Sequence, residues 1–129
     1  MLHGVFELAR RLFGLKFNLT TAYPVYHEDV QVYEVTREQG AEFVGLFYAD
    51  FFPRASKTSG AWMTNFYEQG KFRGQDIRPH VGIVCNFTKP TAGKPSLLTF
   101  DEVKTLFHEF GHSLHSLLSK VEFRSLAGT

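Results

Sequence analysis

The sequence of 129 residues contains a single cysteine, Cys85, so no disulfide bond can form within the chain. A chain without disulfides suits a reducing compartment, and we therefore expect a cytoplasmic location. No apolar run approaches the roughly 18 residues that a membrane span requires, and the N-terminus shows no signal-peptide pattern. Cys85 lies in an apolar segment, which favours a buried structural thiol over a reactive nucleophile.

The sequence also has no large excess of charge of either sign. The net charge is +1, and neither a basic block nor an alternation of basic and aromatic residues occurs, so nothing indicates a nucleic-acid partner. Charged residues make up 21% and hydrophobic residues 43%, as in an ordinary globular protein of one small domain. Aromatic rings are plentiful, with 14 Phe and 5 Tyr, so we expect a core built largely from them.

The first two thirds of the chain contain one helical pattern and several strand patterns. Apolar residues at helical spacing predict a helix over residues 5–15, ended near Gly14. Three β-branched or apolar stretches follow, and they predict a small, mostly antiparallel sheet of about three strands: 30–36, 43–52 and 81–88. The first two strands should form a hairpin.

The last helix has the strongest local signals. Thr99 and Glu102 fit a capping box, which predicts a helix from about residue 100 to about residue 120. Apolar residues recur along it at steps of three and four, and we expect them to form one stripe against the core: Val103, Phe107, Phe110, Leu114, Leu117 and Val121. Strands followed by this helix predict an α+β fold.

The same helix carries the motif His108-Glu109-Phe110-Gly111-His112. Two histidines four residues apart lie about 40° apart and one turn apart on a helix, so both rings can reach one metal ion. Zinc lowers the pKa of bound water towards about 7, and a neighbouring carboxylate can then act as general base in amide hydrolysis. The spacing therefore predicts His108 and His112 as zinc ligands and Glu109 as the base.

Two other residues of this helix need a separate interpretation. His115 lies on the histidine face, which is predicted to be opposite the apolar stripe, but it is about 4.5 Å further along the axis than His112. We expect it to line the cleft or support the ligands, and not to bind the metal. Gly111 costs about 1 kcal/mol relative to Ala in a helix interior, so we expect another segment to approach its backbone. The alternative for all three histidines is a solvated helix surface.

The strand at 81–88 has two interpretations. In zinc proteases an edge strand beside the zinc helix pairs with the backbone of the substrate, and this strand is the candidate for that role. It can equally be an ordinary strand in the middle of the sheet.

A family resemblance adds to these inferences. The segment 107–115, Phe-His-Glu-Phe-Gly-His-Ser-Leu-His, resembles the active-site signature of the thimet oligopeptidase, oligopeptidase A and dipeptidyl carboxypeptidase family. The resemblance continues through segments 46–50, 60–63, 85–90 and 98–103, so it covers essentially the whole chain. The dipeptidyl carboxypeptidase branch is the most similar.

The resemblance implies an intracellular zinc peptidase that cuts short peptides within a larger, mostly helical fold. It implies one Zn²⁺ held by His108 and His112, with Glu109 as the catalytic base and a third ligand from a Glu on a following helix. Glu122 is the only acidic residue after the motif, and we do not expect it to substitute.

We therefore expect residues 1–129 to be part of a catalytic domain that stops before the third ligand and lacks its C-terminal part. The alternative is a truncated, catalytically inactive remnant that binds zinc.

Overall fold

A computed structural model of the chain describes residues 2–128. It has two helices, α1 (Leu2–Phe13) and α2 (Phe100–Leu118), and one short 3-10 turn at Arg124–Leu126. Seven strands lie between the helices: β1 (Leu15–Thr20), β2 (Gln31–Arg37), β3 (Phe43–Asp50), β4 (Trp62–Tyr67), β5 (Gly70–Phe72), β6 (Gln75–Ile77) and β7 (His80–Val84). None of the described helices is long and apolar enough to cross a membrane.

The main sheet has five strands in the order β1-β2-β3-β7-β4, and β5 and β6 form a separate small hairpin. All neighbours in the main sheet are antiparallel except β3 and β7, which run parallel. The α+β fold and the mostly antiparallel sheet are therefore confirmed, and so is the hairpin of β2 and β3. The sheet has more strands than the three expected.

The extra strand β1 begins where the sequence predicted helix. Gly14 adopts a positive φ of 63° and its N–H donates to Arg10 O at 2.9 Å, which ends α1. Leu15 then starts β1 and is fully buried. The predicted helix over 5–15 was therefore wrong at its end, because the apolar side chain of Leu15 suits a helix face and a strand face equally.

Of the two interpretations of segment 81–88, the edge strand is wrong. Strand β7 pairs with β3 on one side and with β4 on the other, so it lies inside the sheet. The edge beside α2 is β4, whose sequence mixes polar and apolar residues and lacks the β-branched pattern that marks β7. The alternative interpretation, an ordinary interior strand, is the one the structure supports.

Aromatic rings fill the space between the sheet and the two helices. Phe6 of α1 stacks on Phe17 of β1 with centroids 4.2 Å apart. Phe110 of α2 meets the edge of Phe47 of β3 at 5.7 Å and Phe17 at 5.6 Å. The aromatic core expected from the composition is thus confirmed, and Phe110 joins α2 to it.

The buried face of helix α2 overlaps the predicted stripe but is rotated relative to it. The buried positions are 106, 110, 113, 116 and 117, so Phe110 and Leu117 of the predicted stripe are confirmed. Phe107 of the predicted stripe is 39% exposed. Ser113 was missed because a polar residue interrupts the apolar repeat. Its hydroxyl donates to Glu109 O at 3.2 Å, so it is buried with a hydrogen-bond partner. Nothing approaches Gly111, where a Cβ would have no neighbour within 4 Å among the described residues.

Both ends of α2 are tied by hydrogen bonds. At its start the capping box is confirmed: Glu102 N–H donates to Thr99 Oγ1 at 3.2 Å, and Thr99 N–H donates to Glu102 Oε2 at 2.7 Å. At its end the Arg78 guanidinium donates to Leu117 O at 2.6 Å and Ser119 O at 3.1 Å. The helix ends at Leu118, two residues before the predicted end at residue 120.

A buried carboxylate organises the loops at the end of β3. Asp50, 1% exposed, accepts from Arg54 through both oxygens at 2.9 Å and from Lys57 at 3.0 Å, and Tyr26 OH donates to it at 2.9 Å. Burial alone would raise the pKa of Asp50, but these hydrogen bonds together outweigh it and hold the pKa below its ordinary value. The charged form therefore stabilises the fold.

Replacing this carboxylate tests its contribution. Asp50→Asn should lower the free energy of unfolding in urea by about 3–5 kcal/mol, because it leaves the buried Lys57 and the partly buried Arg54 without their charge partner. Since the pKa is lowered on folding, the stabilisation is present above the unfolded pKa and is lost as the pH falls through the folded pKa. Glu28→Gln, at an exposed position, is the control with the same change of charge; equal effects of the two variants would contradict the assignment.

The thiol of Cys85 belongs to the core. Cys85 is fully buried, and burial raises the pKa of its thiol to about 12. Its N–H donates to Asp50 O at 2.8 Å, which extends the pairing of β3 and β7. The structure thus supports the structural role over the nucleophilic one.

Alkylation provides a direct measurement of this burial. Native protein should react with a thiol reagent at neutral pH at least about a hundredfold more slowly than protein in denaturant, because only the thiolate reacts. Similar rates in both conditions would show an accessible thiol.

Candidate functional site

The two histidines of the motif converge on one point. His108 Nε2 and His112 Nε2 lie 3.1 Å apart, and the two ring planes are nearly perpendicular at 85°. His108 is exposed and His112 is partly buried. Neither histidine belongs to the row of α2 residues that is buried against the sheet.

This pair suits a shared metal ion. Two nitrogens bound to one tetrahedral zinc at about 2.0–2.1 Å stand roughly 3.3 Å apart, close to the 3.1 Å observed between the Nε2 atoms. Without a metal, one Nε2 can donate a hydrogen bond to the other. The arrangement therefore fits two zinc ligands without any movement of the backbone.

Glu109 lies beside this pair and faces a cleft between α2 and β4, which we call the α2–β4 cleft. Its volume is about 520 Å³. Two residues of α2 line it together with six residues in and beside β4: Glu109 and His112, and Ala61, Trp62, Met63, Thr64, Asn65 and Glu68. The predicted base and one predicted ligand thus share a cleft with the edge strand.

The other polar residues considered from the sequence lie elsewhere. His115 lines a separate apolar groove with Gly111, Leu114 and Leu118, and not the α2–β4 cleft. Glu122 lies beyond the end of α2, where its carboxylate pairs with Lys71 at 2.7 Å. This position agrees with the expectation that Glu122 is no substitute ligand.

Within residues 2–128 no group of three or more His, Cys, Asp or Glu side chains is placed to hold a metal ion. A structural or catalytic zinc site usually has at least three protein ligands. The described residues thus bring together two histidine nitrogens and one carboxylate.

Sequence reasoning missed the contribution of β4. The loop leading into this strand is held by Asn86, whose amide donates to Thr58 O at 3.0 Å and Gly60 O at 2.8 Å. Asn65 of β4 has its Oδ1 buried without a hydrogen-bond partner in the described residues. The mixed polarity of the strand was a usable signal, because an edge strand beside a cleft alternates between packed and polar positions.

Comparison with known proteins shows the family of the chain. The sequence profile of peptidase family M3 matches residues 1–129. The chain is 49% identical over 126 residues to dipeptidyl carboxypeptidase of Escherichia coli strain K12, which covers 98% of this chain and 18% of that protein. It is 40% identical over 127 residues to oligopeptidase A of the same strain, with the same coverage of each chain.

A eukaryotic protein is similar to the same extent. Thimet-like oligopeptidase of Dictyostelium discoideum is 41% identical over 133 residues, which covers all of this chain and 20% of that protein. The chain thus spans about a fifth of the length of the relatives it matches. Because the family profile covers every residue and the resemblance seen in the sequence extends across the same segments, the chain belongs to peptidase family M3.

Proposed function

We propose that this chain is part of a zinc metallopeptidase that hydrolyses peptide bonds in short peptides. The observation that carries the proposal is the 3.1 Å separation of His108 Nε2 and His112 Nε2 beside the cleft that Glu109 lines. Membership of a peptidase family supports the same reaction.

In this proposal His108 and His112 hold one Zn²⁺. When bound, the metal supplies Lewis acidity that makes a water molecule more acidic and polarises the peptide carbonyl. Glu109 accepts the proton of the attacking water and donates it to the leaving amine. Its place on α2, one residue after the first ligand, keeps its carboxylate on the cleft side of the helix.

Strand β4 is proposed to bind the substrate backbone. It is the edge of the main sheet and borders the α2–β4 cleft, so its outer N–H and C=O groups are available to an extended peptide. A peptide added there would lie along the cleft in front of Glu109. This transfers to β4 the role that the sequence had suggested for segment 81–88.

The proposal includes a third zinc ligand from outside residues 1–129, in keeping with the resemblance to longer enzymes. It also includes a cytoplasmic location, supported by the single buried thiol of Cys85. Neither nucleic acid nor a membrane is part of the proposed function.

The second candidate is a catalytically inactive chain that binds zinc weakly. The presence of only two histidine ligands among the described residues favours it for residues 1–129 by themselves. We therefore expect this chain alone to show little or no hydrolysis of a quenched fluorescent peptide at saturating zinc. Robust turnover that a chelator abolishes would contradict the need for a third ligand.

Zinc binding to the histidine pair can be measured by competition with a chromogenic chelator. His108→Ala and His112→Ala should each weaken zinc binding at least about tenfold, since even residues that only support a ligand contribute about 10–100-fold. His115→Ala is the matched control on the same helix and should leave the affinity unchanged. A loss in the His115 variant equal to the others would contradict the assignment of ligands.

The role of Glu109 is best measured in a chimera, in which residues 1–129 replace the matching segment of E. coli dipeptidyl carboxypeptidase. Glu109→Gln should retain zinc but lower kcat by about 10²–10⁴-fold, because it removes the proton acceptor and keeps the shape. Glu102→Gln, at the start of the same helix, is the control. If Glu109→Gln kept most of the activity, Glu109 would not be the base.

A further inference from the structure

The α2–β4 cleft is lined by carboxylates and by no basic Lys or Arg side chain of the described residues. The two carboxylates are Glu109 from α2 and Glu68 just after β4. Glu109 is adjacent in sequence to His108, where a zinc ion would offset its charge. Glu68 has no such partner, because the nearest cation in the sequence, Lys71, pairs with Glu122.

Glu68 also remains without a counter-ion in the fold. It is partly buried and takes part in no ion pair within residues 2–128, although its neighbours in the chain are well connected. The next residue, Gln69, is 2% exposed and bonds to Asp76 and to Val121. Gln69 therefore anchors the backbone beside Glu68, so that this carboxylate has a defined place at the cleft.

A second acceptor in the same cleft points to the same ligand chemistry. The buried Oδ1 of Asn65 has no donor among the described residues. Asn65 lies three residues before Glu68, and both residues line the α2–β4 cleft. Buried polar groups normally have a partner, and no Lys or Arg of the described chain lines the cleft to provide one.

We propose that Glu68 determines specificity by binding a cationic group of the peptide substrate, either a basic side chain or a free α-ammonium. The inference rests on the proposed function, because it treats the α2–β4 cleft as the place where the peptide lies. A peptide along β4 would bring its side chains or its terminus past Glu68, and a cation there would gain a charge partner and a hydrogen-bond acceptor.

Equilibrium binding to the chain of 129 residues tests the proposal. Trp62 is the only tryptophan and lines the cleft, so its fluorescence reports occupancy. Three hexapeptides would be compared at low ionic strength: one acetylated with a central Lys, one with a free N-terminus and norleucine in place of Lys, and one acetylated with norleucine. At least one cationic peptide should bind about two- to five-fold more tightly than the neutral one, in line with a solvent-accessible charge pair.

The variants identify the source of the preference. Glu68→Gln should abolish it, and Glu68→Lys should reverse it, whereas Glu28→Gln on the exposed surface should leave it intact. Added salt should reduce it, since the Debye length falls to about 8 Å at physiological ionic strength. Which of the two cationic peptides is preferred distinguishes a basic side chain from an α-ammonium.

Equal binding of all three peptides, a preference that survives in Glu68→Gln, or no measurable binding up to millimolar peptide would each overturn the proposal. Circular dichroism of each variant confirms that it is folded. Parallel titrations with zinc and with a chelator separate the two proposals: loss of histidine-dependent zinc binding with the charge preference retained would contradict the zinc function but support the role of Glu68.

Discussion

The burial of Phe110 is the contact on which the geometry of the site depends. Phe110 is 1% exposed and packs between Phe47 and Phe17. It stands two residues from each histidine of the motif, and two residues on a helix correspond to about 200°. Burying the ring against the sheet therefore turns His108 and His112 away from the core, and their Nε2 atoms meet at 3.1 Å.

Two further contacts keep α2 at this place on the sheet. Gly45 of β3 leaves room for the helix, because a Cβ there would lie 2.8 Å from Leu117 Cδ2 and 2.6 Å from Pro79 O. Arg78, in the link between β6 and β7, bonds to Val44 O as well as to the last carbonyls of α2. The sheet and α2 are thus joined by side-chain packing next to the motif and by the Arg78 guanidinium at the C-terminal end of the helix.

Local chemistry made α2 and its motif predictable. A capping box, a helical repeat and a His-Glu-x-x-His spacing act within a few residues, so the start of the helix and the convergence of His108 and His112 followed from the sequence. The rotation of the helix about its axis was harder to predict, because Phe107 and Phe110 are equally apolar and only packing against the sheet decides which of them is buried. Ser113 is polar yet buried, which no hydrophobic repeat can indicate.

Strand order and long-range pairing could not be predicted in the same way. The placement of β7 between β3 and β4 depends on a crossover that brings residues from distant parts of the chain together, and the edge position of β4 follows from it. The cleft residues Asn65 and Glu68 were therefore not recognised from the sequence, although Glu109 and His112, which line the same cleft, were. Buried Asp50 was missed for a different reason: its cation partners lie close by, on the loop that follows, but the polar sequence there gives no sign that the carboxylate is buried.

X-ray absorption spectroscopy of the zinc-loaded chain tests the central claim most directly, because it counts the imidazole rings around the metal. The account predicts two imidazole nitrogens at about 2.0–2.1 Å, with oxygen neighbours completing the shell. The same experiment on a His108→Ala, His112→Ala double variant should find no imidazole at the metal. A spectrum with one imidazole or none in the unmodified chain, or an unchanged spectrum in the double variant, would contradict it.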